Sequence, residues 1–255
     1  MTIKLIVLFF TPLIAGLMVY LVPLAKGSNF KLLLVFAGSY LFAITVTHIL
    51  PQLYIQNREV ELLGLFVLAG FFLQQLLEYF TSGVEHGHIH THEHDHDHGH
   101  HHTHTHRTVS ALVLLAALCV HAFLEGSMLA QPTTMGFGYD VHAVLLGIAL
   151  HTAPASFALM TVLTSQLHSK TKSLPYLLAF SLAAPIGLLI SSYFIESNVI
   201  SDTSLIYLYA LVSGNFLHIS TTIVFESSPE HRFHAKKLAV AVVGALVAVA
   251  VEYII

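Results

Sequence analysis

Two residue types that bind divalent cations stand four apart in His121-Ala122-Phe123-Leu124-Glu125-Gly126, inside an otherwise apolar run of membrane length. Four residues is about one helical turn, so the imidazole and the carboxylate stack on one face of a helix. A carboxylate at mid-bilayer depth costs about 2.5–3.5 kcal/mol on insertion scales, which makes function its default explanation. A divalent cation is the partner that would turn that cost into binding. A second segment, His151-Thr152-Ala153-Pro154, adds another imidazole beside a proline. Proline lacks an N–H and disturbs the preceding turn, here releasing the carbonyl of Leu150. Two imidazoles, one carboxylate and a water suit tetrahedral Zn²⁺, with Fe²⁺ and Mn²⁺ also compatible. The plainer alternative is that the histidines are interhelical hydrogen-bond partners and Glu125 is a protonated buried acid.

Other histidines extend the set. His48 is followed one turn later by Pro51, and is expected to be a fourth ligand or a gate. His218 lies beside Ser220, Thr221 and Thr222, a polar stripe that suits either a pathway or interhelical bonds. Pro185 reads as a structural kink, and Glu78 as interfacial. Residues 86–106 hold twelve histidines: His86, His88, His90, His92, His94, His96, His98, His100, His101, His102, His104 and His106. Gly, Thr, Asp and Glu separate them, and no apolar period appears, so the segment is expected to be disordered. Neutral imidazole is a good ligand for zinc, nickel or copper. Alternation such as His94-Asp95-His96-Asp97-His98 therefore predicts a loose, multi-register metal buffer.

The elements that must carry these residues are membrane helices. The chain of 255 residues is 55% apolar and only 9% charged, with a mean hydropathy of +0.76. Soluble domains carry about 25% charge. The length suits eight spans, expected at 3–25, 32–56, 60–80, 109–131, 140–168, 174–195, 204–226 and 236–255. Domain organisation follows: 1–80 carries spans one to three, 81–108 the histidine-rich loop, and 109–255 spans four to eight. The apolar run from Ile3 to Leu24 is longer than a signal-peptide core and reads as the first span. The lone Cys119 excludes a disulfide framework or a multi-thiolate site. No nucleotide-binding motif is present.

Orientation follows from the basic residues. One side collects Lys26, Lys31, Arg107, Lys170, Lys172, Arg232, Lys236 and Lys237, and the other only Lys4 and Arg58. The positive-inside rule puts the rich side, and the histidine loop, in the cytoplasm, with both termini outside the cell (inner) membrane.

The arrangement resembles the ZIP (Zrt/Irt-like) family of divalent-metal transporters, in a divergent bacterial-type form. The resemblance rests on the span pattern, on His121-Ala-Phe-Leu-Glu125-Gly126, on His151-Thr-Ala-Pro154-Ala-Ser, and on Ser213-Gly214-Asn215-Phe216-Leu217. It implies a carrier that moves zinc or a related cation into the cytoplasm, and a metal site between spans four and five. It also implies that spans one to three and six to eight are inverted repeats, as in other secondary transporters. Many members hold a second metal beside the first, on an Asn or Asp after the span-four histidine, two acids in span five and a Glu before the span-six proline. Here those positions are Ala122, Thr152, Ala155 and Ala184. One metal site, His121, Glu125 and His151, is therefore expected.

The expected partners are a divalent cation and membrane lipid, with no nucleic acid; a homodimer stays open. Two rival functions stay open as well. One is an intramembrane zinc-dependent hydrolase, which the missing H-E-x-x-H disfavours. The other is a non-transporting sensor or buffer built on the loop.

Overall fold

The computed structural model describes residues 1–21, 28–57, 59–81, 111–131, 136, 140–226 and 235–254. The histidine loop lies outside them. Within them the chain is helical, and the helices are α1 (Thr2–Leu17), α2 (Ser28–Ile44), α3 (Leu50–Gln56), α4 (Val60–Thr81), α5 (Ala111–Met128), α6 (Val141–Leu167), α7 (Lys170–Glu196), α8 (Asp202–Glu226) and α9 (Ala235–Ile254). A π-helical stretch, Thr45–Ile49, joins α2 to α3 into one continuous rod. The eight rods fall on the eight expected spans. Five, starting at Thr2, Lys31, Val60, Val141 and Lys170, are long and apolar enough to cross a membrane on their own. Of these, the α6 rod is the most enclosed, and the α1 and α4 rods the least.

The prolines act differently from one another. Pro51 sits at the start of α3, directly after the π-helical stretch that contains His48. The disturbance expected near His48 thus takes the form of a widened turn. Pro154 and Pro185 lie inside α6 and α7, each of which runs on as a single helix. Short polar residues mark the helix ends. Asp140 caps α6 by accepting from the His142 N–H at 2.8 Å, and Ser169 caps α7 by accepting from Lys172 at 3.4 Å.

The burial pattern is that of a protein whose solvent is lipid. Large apolar side chains such as Ile6, Phe10, Leu65, Leu68, Phe72, Leu182 and Leu246 point outward. Ser127, Thr152, Ser156, Ser181, Ser213, Asn215 and Ser220 are buried. Several hydroxyls return to their own helix: Thr152 donates to Ile148 and Ser213 to Tyr209, each at 2.7 Å. Others tie helices together. Ser156 Oγ donates to the Pro12 carbonyl at 2.6 Å, joining α6 to α1.

Packing follows a pattern of exchange. α1 packs on α6 and α7, α5 on α7, α4 on α8, and α2 on α6, α8 and α9. Swapping α1 with α7, the α2–α3 rod with α8, α4 with α9 and α5 with α6 turns α1–α6 into α7–α5 and α4–α8 into α9–α2. That pairing is what two repeats around a central helix pair require. Direction agrees too. Tyr207 meets Glu59 and Phe66 near the starts of α8 and α4, and His218 meets Phe71 and Glu78 farther along both. The third and seventh spans therefore run parallel, as the three spans between them demand.

Close approach at two places depends on glycine. A methyl at Gly70 would overlap the Leu211 carbonyl, and one at Gly214 would overlap that of Val67. Between α5 and α7, Gly126 faces the Ala184 carbonyl and Gly187 that of Phe123 in the same reciprocal way. Lipid supplies no hydrophobic drive between helices, so such backbone contacts carry much of the association. Gly64 on α4 has only the Tyr54 hydroxyl near it, at 3.9 Å. We expect Gly70→Ala and Gly214→Ala each to cost about 1–3 kcal/mol, the usual range for overpacking, and Gly64→Ala to be neutral. Thermal unfolding in detergent checks this; equal melting temperatures for all three would refute the contact.

Candidate metal centre

His121 and Glu125 lie one turn apart on α5, and His151 projects from α6. All three are buried, with 3%, 1% and 1% of their surface exposed. Each offers a ligand atom, and these atoms lie within 4.8 Å of one another. His121 Nε2 faces Glu125 Oε1 at 3.3 Å. The two imidazole rings meet edge to face, with centroids 5.6 Å apart and planes at 90°. Two imidazoles and one carboxylate, converging in a buried place, make a donor set that suits one borderline-soft divalent cation and leaves its fourth coordination position open. The same set is expensive without a cation, because a charge in an apolar interior must be paired or neutralised.

A third helix joins the site. Asn215 on α8, fully buried, places its side-chain amide nitrogen 3.1 Å from His121 Nδ1. The ring is thus held between a carboxylate on its own helix and an amide from another. Asn215 was visible in the sequence only as part of the Ser213–Leu217 segment. Its pairing with a histidine 94 residues away had no local signal.

The positions of the absent second site are also brought together. Ala122, Thr152 and Ala184 line one small apolar cavity with Val7, Leu8, Thr11, Pro12, Ile148, Ala149 and Phe180. The Thr152 hydroxyl is already committed to the Ile148 carbonyl. Ala155 is buried as well. No carboxylate, imidazole or amide lines that cavity, so its walls do not suit a second cation.

His48 and His218 are not among the clustered ligand atoms. His48 is half-buried in the π-helical stretch. His218 is buried against Phe71, ring centroids 4.8 Å apart, and its Nδ1 lies 3.5 Å from Glu78 Oε2. Glu78, expected at the interface, is 18% exposed at its side chain and meets α8 through this contact. His142 is exposed and bonds Asp140, and His168 ends α6 in the left-handed conformation with φ 49°. The twelve loop histidines, His86 to His106, lie outside the described residues.

The fold and site define a polytopic helical membrane protein with a buried cluster of two imidazoles and a carboxylate between two of its described helices. The chain belongs to the ZIP family: the sequence model described as ZIP Zinc transporter matches residues 1–252. Its members are membrane-integral transporters of divalent metal cations, not enzymes. No curated protein is similar enough to add to that match.

One consequence concerns stability. Glu125 occupies a site where a neutral, near-isosteric amide would be less costly. Glu125→Gln is expected to melt at or above the natural chain when both are metal-free in chelator. Zinc should then raise the melting temperature of the natural chain and leave the variant unmoved. A variant that melts clearly lower without metal would contradict this account.

Proposed function

We propose that this protein carries zinc across the cell membrane into the cytoplasm through a single intramembrane site made by His121, Glu125 and His151. The observation that carries the proposal is the convergence of those three buried side chains in a chain of this family. The donor set favours zinc, and Fe²⁺ or Mn²⁺ would be carried less well.

Cation enters from the outer side, past His48 near the outer end of the second span. His121, Glu125 and His151 replace its water. Ligands must be deprotonated, so binding expels any proton from Glu125. Rocking of one helical repeat against the other then opens the inner side. Here His218 and Glu78 stand beyond the triad, with His218 less than one turn along α8 from Asn215. The loop from His86 to His106 receives the ion and lowers its free concentration at the exit. The outside placement of both termini rests on the lysine and arginine asymmetry. A homodimer is compatible with this scheme, since the site is complete within one chain.

Zinc influx into liposomes holding the purified chain tests the proposal. The natural protein should fill the vesicles, and His121→Ala/Glu125→Ala should reduce influx at least 100-fold while still inserting. Deletion of 86–106 should change apparent affinity but keep influx. Influx that persists in the double variant would sink the site assignment. Loss on loop deletion alone, with the fold intact, would make the loop part of the path.

A further inference from the structure

We propose that Asn215 is a positioning residue of the transport site: its side-chain amide decides which nitrogen of His121 carries the proton, and a half-turn of that amide releases Nε2 to the cation. The inference rests on the reading of His121 as a ligand.

A neutral imidazole has one N–H and one lone pair. Asn215 Nδ2 can only donate, and it stands 3.1 Å from His121 Nδ1. With the amide in this orientation Nδ1 is the acceptor, and the ring proton sits on Nε2. That nitrogen faces Glu125 Oε1 at 3.3 Å. In this state the Nε2 lone pair is not available to the pocket. The Asn215 oxygen, meanwhile, is buried with no hydrogen-bond partner among the described residues. It needs a donor.

A half-turn about the last side-chain bond exchanges the amide's two ends. Oδ1 then accepts from Nδ1–H, and Nε2 presents its lone pair to the pocket. The ring carries one proton before and after: Nε2–H gives its proton to water that arrives with the cation, and Nδ1 takes one from that water as the amide turns. Glu125 exchanges a contact with N–H for a contact with the cation. Metal-bound histidines generally donate their other N–H to a carbonyl or carboxylate, and losing that partner costs 10–100-fold in affinity.

The backbone of Asn215 is held for such a role. Its neighbour Gly214 lies against the α4 backbone, and Ser213 bonds back to Tyr209. Only the amide need turn. Asn215 also links α8 to α5, so the state of the ring is felt on a helix that carries no ligand.

The test uses the full chain in lipid, with ¹⁵N-labelled histidine and the His121 signals identified by their loss in His121→Ala. Metal-free natural protein should show protonated Nε2, and zinc should move the proton to Nδ1. Asn215→Asp, an acceptor only when ionised, should show protonated Nδ1 before zinc is added. In zinc-influx assays Asn215→Leu should raise KM about 10–100-fold, and Asn215→Asp should keep it near the natural value. A residue that merely fills space predicts the reverse, because Leu keeps its forked shape without charge and Asp adds a buried charge. The same tautomer in the natural and Asn215→Asp chains, or a natural KM in Asn215→Leu, would overturn the proposal. Zinc that leaves the His121 signals of the natural chain unmoved would overturn the ligand reading, and the proposal with it.

Discussion

The constraint on which this structure depends is the cost of holding the Glu125 carboxylate inside a lipid-solvated bundle. It is 1% exposed and has two imidazoles for company. A divalent cation resolves that cost, since it supplies charge where water cannot. The remaining architecture can be understood as the means of holding three side chains around one point while keeping every backbone group bonded. Helices do the second job within themselves. Reciprocal glycine contacts do the first, by bringing α5 against α7 and α4 against α8 without side chains between them. The α5–α7 contact passes through Gly126, the residue after Glu125, so the carboxylate stands next to a close backbone contact.

The single site proposed above has consequences for transport. Ala122, Thr152, Ala155 and Ala184 leave the neighbouring space apolar, and the Thr152 hydroxyl is turned to its own helix. A cation at the triad then has no second cation to repel it onward. Release must come from rearrangement of the ligands themselves. The two imidazoles and the carboxylate sit on different helices, α5 and α6, so a small relative shift of those helices separates them. His218 with Glu78 offers a polar stop farther along α8.

Much of this was legible in the sequence because membrane spans obey a simple rule. Twenty apolar residues in a row are long enough to cross, and the eight expected ranges match the eight rods. His121 and Glu125 were legible because one helical turn separates them. Other features were not, for physical reasons. A proline announces a disturbed turn but not its form, so the π-helical stretch at His48 could not be foreseen. Glu78 read as interfacial because it ends an apolar run; its contact with His218 joins two helices far apart in sequence and left no local signal. Asn215 contacts His121 only through tertiary packing, and neither residue's neighbours betray the other.

The central claim is that one cation binds the chain inside the membrane, between His121, Glu125 and His151. Anomalous diffraction at the zinc absorption edge, from crystals of the full chain grown with zinc, tests it most directly. The account predicts one intramembrane peak, within bonding distance of both imidazoles and the carboxylate. A peak in the cavity lined by Ala122, Thr152 and Ala184, or no peak at the triad, would contradict it.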